Sequence, residues 1–306
     1  MATPNSSAAR STPRRVAHSY APPTPLQELH ILDVLELAGS QYRAGAALAM
    51  HQSTVCRSLQ LLRSQFRLVP TQARGVCRYG QNACLQHLRL AYREHRLMEG
   101  LLRIASDGLH QPLLDRMGCV QRVPPLFRSG DHWAGLVGDG LLDAALVSSF
   151  CLEQELPPGQ EPQWPGLRVM PLGQLRLQLV APSSKPDTRR VLLPRKAATA
   201  LLHQALARQG YGLEQQPLAC QDPGAWIKRA RDRGLALPLC GALLPPEWLA
   251  QHRMGPLATQ PALIEQLWLL LPEGMECTRT ARQCLRWLRG QIGQLRARQD
   301  PPSPRC

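Results

Sequence analysis

The segment from Ser40 to Leu62, SQYRAGAALAMHQSTVCRSLQLL, is compatible with few folds. Val55, Leu59 and Leu62 recur at the spacing of one face of a helix that begins near Gln52. A shorter helix precedes it, with Ala44, Ala47 and Leu48 on its inner face and a tight joint at Met50-His51. Small residues from 44 to 47 let two helices approach closely and cross steeply. That is the physical requirement of a helix-turn-helix, whose second helix must stand clear of the body to enter a major groove. The outer face of this second helix offers Gln52, Ser53, Thr54 and Arg57, side chains that bond base edges and phosphates.

Charge points the same way. From Leu37 to Tyr92 there is no Asp or Glu, while Arg43, Arg57, Arg63, Arg67, Arg74, Arg78 and Arg89 fall inside the stretch. A solvated helical face ordinarily mixes signs, so an acid-free basic run of this length implies a polyanionic partner. The alternative is a basic three-helix bundle with no ligand. Whole-chain charge says less. The net charge is +14, but only Lys185, Lys196 and Lys228 accompany the arginines, a skew that genome composition also produces.

At 306 residues the chain has room for two or more cores. Residues 1–25 are rich in Ser, Pro, Ala and Arg and carry no acid, which reads as a disordered basic tail; a targeting segment would have a similar composition. Leu26 to Leu37 reads as an amphipathic helix that stops at Ala38-Gly39, and Ser40 is placed to cap the next one. Arg74 to Gly80 has the composition of a wing hairpin lying on phosphates. Gln81 to Gly100 reads as one helix with an apolar stripe of Leu85, Leu88, Ala91, His95 and Met98, leaving Tyr92 and Arg96 outside it.

From Leu101 onward, short apolar runs alternate with helical patterns. Strands are expected at 101–105, 123–128, 144–148, a pair within 168–181, 190–193, 217–220, 235–239 and 266–271. Helices are expected at 111–117, 131–141, 197–208, 223–233 and 278–295. Such alternation implies a parallel-rich sheet between helices, with the chain crossing between two halves near 181 and returning near 255.

The row LHILDVLELAGSQYRAGAALAMHQSTVCRSLQLL resembles the winged helix-turn-helix of LysR-type transcriptional regulators, with Ser40, Ala44-Gly45, Leu48, Gln52, Val55 and Leu62 in the family's register. The segments GLLDAALVS, LRLQLVAPSSKP and RGLALPLCGALLP are similar, in that order, to parts of the family's effector-binding domain. The resemblance covers about residues 26–295. It implies an α/β chain with a winged helix-turn-helix at 26–80, a linker and dimerisation helix at 81–100, a two-lobed periplasmic-binding-protein-like effector domain at 101–295 and a tail at 296–306. It also implies a cytoplasmic regulator that binds double-stranded DNA as a homodimer or tetramer through the linker helix. Several positions depart from the family pattern. Gly45 replaces an Ala at a helix-propensity cost of about 1 kcal/mol, Cys56 replaces a Ser, and Arg63 stands where Glu is usual. The family's Leu-Thr-x-x-Gly after the wing is reduced to Tyr79-Gly80. A ligand-binding relative without sequence-specific DNA recognition is therefore the alternative.

The residues expected to contact DNA are Ser40, Arg43, Gln52, Ser53, Thr54, Arg57, Arg63, Arg74 and Arg78. In an open α/β sheet, ligands sit beyond the carboxyl ends of strands, near helix N-termini. Those positions hold Ser106, Asp107, Ser129, Ser148 and Ser149 in the first half, and Lys196 and Thr199 in the second. Hydroxyls and a Lys suit a small carboxylate or other anion, although Ser is equally a routine helix cap.

Enzyme signatures are missing. Gly135-x-x-Gly138-x-Gly140 precedes a strand rather than following one, and there is no phosphate loop, HExxH or Gly-x-Ser-x-Gly. No cofactor and no metal site is expected. Cys84, His87 and His95 lack a second ligand pair at finger spacing, and the ten Cys form no CxxC and read as reduced small hydrophobes. The longest uncharged apolar run, Leu235 to Pro246, is too short for a bilayer and carries three prolines.

Overall fold

Twelve residues from Gln27 to Ala38 form α1, which buries Leu29, Leu32, Leu35 and, unexpectedly, Asp33. Gly39 closes it at φ +72°, a conformation that costs a residue without Cβ nothing. Helices α2 (Gln41–Leu48) and α3 (Gln52–Phe66) follow, so the helix-turn-helix expectation is met. The structure is a computed structural model and describes residues 20–70, 82–121, 123–215, 223–244 and 246–299. The wing expected at 74–80 and the strand expected at 217–220 lie outside these residues, as does most of the N-terminal tail. The described end of that tail is packed rather than loose: Tyr20 hydrogen-bonds His95 Nδ1 at 3.0 Å and stacks on Tyr92, and Thr24–Leu26 form a 3-10 turn.

Helix α4 (Ala83–Met98) matches the expected linker helix, capped by Asn82 at Cys84 and Leu85. Its buried face is rotated from the expected one. Leu85, Arg89, Tyr92 and Arg96 point inward, while Ala91 and Met98 face solvent. Buried carboxylates on other elements draw the two arginines in, and a reading of apolar periodicity alone has no access to that.

The second domain follows as β1 (Leu102–Ala105), α5 (Gln111–Asp115), β2 (Val120–Gln121), α6 (Gly130–Gly138), β3 (Ala144–Ser148), β4 (Leu167–Pro182), β5 (Arg190–Leu193), α7 (Ala200–Arg208), β6 (Gly212–Gln215), α8 (Pro223–Arg233), β7 (Leu237–Leu239), α9 (Pro246–Gln251), β8 (Met254–Pro256), β9 (Leu263–Pro272) and α10 (Arg279–Gln299). The main sheet runs β2-β1-β3-β9-β4-β7, with β8 also on β4, and β5-β6 form a second sheet. Two lobes result, joined by the long strands β4 and β9.

Several expectations are corrected. The second strand is Val120–Gln121, not 123–128: Pro124 and Pro125 have no N–H to donate to a ladder. The expected strand pair within 168–181 is one strand of 16 residues whose register shifts between Pro171 and Gly173, where Gly173 takes φ +133°. The crossing between lobes lies along this strand, ahead of 181, and the return is made by β9 rather than near 255. The sheet is mixed, not parallel-rich, because β9 runs antiparallel to both β3 and β4. The last helix continues to Gln299, so residues 296–299 are not tail. Among the described residues, Cys56, Cys84, Cys119, Cys151, Cys277 and Cys284 stand outside any disulfide.

Candidate nucleic-acid interface and sensor cleft

Ser40 accepts the Arg43 N–H at 3.3 Å and caps α2. At the other end of that helix Ala49 turns left-handed (φ +53°), and the Met50 N–H reaches the Gly45 carbonyl at 2.8 Å. The joint leaves no room at 45, since a Cβ there would lie 2.7 Å from Met50 O. Gly45 is therefore required by the turn, and its lower helix propensity is the lesser term. Ala44 is buried as expected, whereas Ala47 faces solvent and Gly45 takes its place on the inner side.

Val55, Leu59 and Leu62 seat α3 in a core shared with Leu29, Leu32 and Leu85. His51 caps this helix, accepting the Ser53 N–H at 3.3 Å and lying 2.8 Å from Ser53 Oγ. Gln52 Nε2 donates to Gln41 Oε1 at 3.3 Å, so two α2/α3 side chains hold each other at the mouth of the motif. Gln52, Ser53, Arg57 and Arg63 are exposed and Thr54 and Arg43 half-buried. Arg63 lies in the last turn of α3, where a cation suits the negative end of the helix dipole. Arg74 and Arg78 lie outside the described residues.

Behind this reading face is a buried ionic network that the sequence reading missed. Asp33 on α1 accepts Arg89 Nε of α4 and Arg103 Nη1 of β1, both at 2.8 Å. Asp143, just before β3, accepts Arg96 Nε at 2.8 Å, Arg93 Nε at 3.3 Å and the Arg103 backbone N–H at 2.7 Å. Burial alone would raise the Asp143 carboxyl, but Arg96 and Arg93 outweigh it and hold its pKa below the usual value. Tyr92 packs beneath the guanidinium carbons of Arg96 and Arg103, 4.4 and 4.8 Å from its ring centre. His30, 3.2 Å from Arg103 Nη2, is pushed down to about 4 by burial and by that guanidinium, so it is a neutral acceptor. Arg128 adds a further tie by donating to the Leu37 carbonyl at the end of α1. The helix-turn-helix is thus docked on the first lobe through α1 and α4. The one advance signal was Asp33 itself, an acid set between Leu32 and Val34 in an apolar helix.

At the opposite ends of β1 and β3, the sensor candidates form a second buried cluster. Asp107 accepts the Leu109 and His110 N–H groups and lies 2.8 Å from His110 Nδ1. His110 Nε2 lies 2.8 Å from Glu265 Oε1, and Ser148 donates to Glu265 Oε2. Burial would depress the His110 pKa, but the two carboxylates outweigh it and raise it well above the ordinary value. Each ring nitrogen thus faces a carboxylate oxygen at 2.8 Å, a geometry that favours the imidazolium.

Ser106 donates to the Asp107 carbonyl, Ser149 accepts the Gln266 N–H at 3.1 Å, and Ser129 caps α6. Across the lobes, Thr199 starts α7 with its hydroxyl buried and without a hydrogen-bond partner among the described residues, while Lys196 is exposed. Residues 149–151 pack against α7, the helix that Thr199 begins. Glu265 and His110 were not anticipated, because no local pattern marks a single acid in an apolar strand as the partner of a His 155 residues away. Among the described residues no cluster of three His, Cys, Asp or Glu could hold a metal.

No protein-family model and no curated protein matches the sequence. Solved structures do. ArgP from Mycobacterium tuberculosis is similar at 18% identity over 87% of this chain and 96% of that one, with a TM-score of 0.46. CbnR is similar at 13% identity over 87% and 99%, with a TM-score of 0.47. Full-length CbnR in complex with its target DNA is similar at 14% identity over 88% and 99%, with a TM-score of 0.45. CbnR is a LysR family transcriptional regulator. Beyond these similarities, the elements themselves give the order that the sequence implied: helix-turn-helix, linker helix, two-lobed α/β domain.

Proposed function

We propose that the chain is a LysR-like DNA-binding transcriptional regulator whose C-terminal domain senses a small molecule. The observation that carries this is the outer face of α3. Gln52, Ser53 and Arg57 project from a helix fixed to α2 by a turn that tolerates only Gly at 45, within a stretch free of acid. Base-edge reading needs side chains of this kind on a rigid helix. Double-stranded DNA is the partner, Ser40, Arg43, Thr54 and Arg63 flank the reading residues, and the protein acts in the cytoplasm. No described helix is long and apolar enough to cross a membrane.

Dimerisation falls to the outer face of α4, where Leu90 is 50% and Met98 83% exposed. The effector sits at the lobe junction, with Ser106, Asp107, Ser129, Ser148, Ser149, Lys196 and Thr199 around it. The unpartnered Thr199 hydroxyl supports this, because a buried polar group without a partner is costly unless a ligand supplies one. Strand β1 carries Arg103 at one end and leads into Ser106-Asp107 at the other. An effector that prefers one arrangement of that cluster therefore biases the docking of α1 and α4.

A LysR-like ligand-binding protein without sequence-specific DNA recognition is the second reading, favoured by Arg63 and the reduced sequence after the wing. Replacing Arg57 with Ala separates the two. If Arg57 reads a guanine, DNA binding weakens by about 1–3 kcal/mol and discrimination at one base pair relaxes. Unchanged affinity and specificity would contradict the assignment.

A further inference from the structure

Helix α10 carries Arg279, Arg282, Arg286 and Arg289 on one side, within about 80° of each other at 3.6 residues per turn. With Met170 and Leu285 they line a groove of about 620 Å³, in the range of small-molecule sites. Among the described residues, the only carboxylate in its lining is Glu276, whose buried Oε2 has no hydrogen-bond partner there, so four cations face one anion. Arg289 Nε is fixed by the Pro171 carbonyl at 2.9 Å.

Among the described residues, Glu276 alone is placed in the lining to offset two costs. Like charges three and four residues apart on a helix repel. Arg279 and Arg282 also stand in the first turn, which contains no acid, at the positive end of the helix dipole. Both penalties are relieved when anions occupy the groove.

We propose that this groove binds a small ligand carrying two or more phosphoryl groups. Guanidinium forks match phosphate oxygens in bidentate fashion. The row extends about 15 Å along the helix axis, too far for one phosphate to span and suited to a chain of them. Met170 and Leu285 supply an apolar floor for the rest of the ligand. Its lining shares no residue with the lobe-junction site or the outer face of α3.

The test is calorimetric titration of the full chain with inorganic tripolyphosphate at 150 mM salt, with sulfate at matched ionic strength as the single-anion control. The expected result is saturable one-to-one binding of tripolyphosphate, at least tenfold tighter than sulfate. Arg282→Ala/Arg286→Ala should weaken it at least tenfold. Lys228→Ala/Arg298→Ala, which removes equal charge at exposed positions outside the groove, should leave it within twofold. No saturable binding, or equal losses in the two double variants, overturns the proposal. So does a result in which only duplex DNA binding depends on Arg282 and Arg286, since the face would then be a nucleic-acid contact.

Discussion

Asp33 of α1 and Arg103 of β1 lie 2.8 Å apart, 70 residues apart in sequence and both fully buried. The same Arg103 donates its backbone N–H to Asp143, so one residue ties both buried aspartates together. Breaking a buried pair from one side leaves an uncompensated charge, which costs about 3–5 kcal/mol. Asp33→Asn should therefore lower the unfolding free energy by about that amount in a urea titration. A loss under 1 kcal/mol would mean the network contributes little to the docking of the two domains.

Gly45→Ala improves helix propensity by about 1 kcal/mol. The 2.7 Å approach to Met50 O opposes it, and overpacking costs about 1–3 kcal/mol. The expected outcome is net destabilisation or a displaced α2–α3 joint, read by denaturation and by loss of DNA affinity. A stabilised variant would show that the joint relaxes freely.

Much of this was legible in the sequence, and the reasons for the rest are specific. The helical spacing of Val55, Leu59 and Leu62 and the Ala38-Gly39 stop located α1 to α3 because those signals are local. In α4 the helix was visible but its phase was not, since Arg89 and Arg96 point inward only because Asp33 and Asp143 are there. The run from 123 to 128 looked like a strand by composition, yet Pro124 and Pro125 cannot complete a ladder. Asp107 and Ser148 are legible as candidates from strand ends and helix caps, whereas Glu265 reaches their cluster from a strand more than a hundred residues later.

His110 gives a pH prediction. Its folded pKa is raised above the unfolded value of about 6.5, so its contribution is fully present below that value and is lost as pH rises through the folded pKa. His30 and His132, both pushed down to about 4 chiefly by burial, act in the opposite direction at acid pH. The His110 contribution is therefore isolated by comparison with His110→Gln. The stability gap between wild type and variant should narrow as pH rises above 6.5. A gap independent of pH would show that His110 is not a cation in the folded protein.

Leu90 and Met98 on the outer face of α4 are the test of assembly. Leu90→Glu/Met98→Glu should convert a dimer to a monomer in light scattering at micromolar concentration, with the fold intact by circular dichroism. An unchanged mass for the variant would place the dimer contact elsewhere.

The central claim is that the outer face of α3 reads DNA sequence. Its most direct test is binding of the purified full chain to DNA from upstream of its own gene and to a scrambled duplex, across a salt series. The account predicts a preference of at least 10³ for the upstream site at physiological salt, roughly the lower bound for specific readers. Equal binding to both duplexes that falls steeply as salt rises would contradict it, leaving phosphate attraction as all that the basic domain supplies.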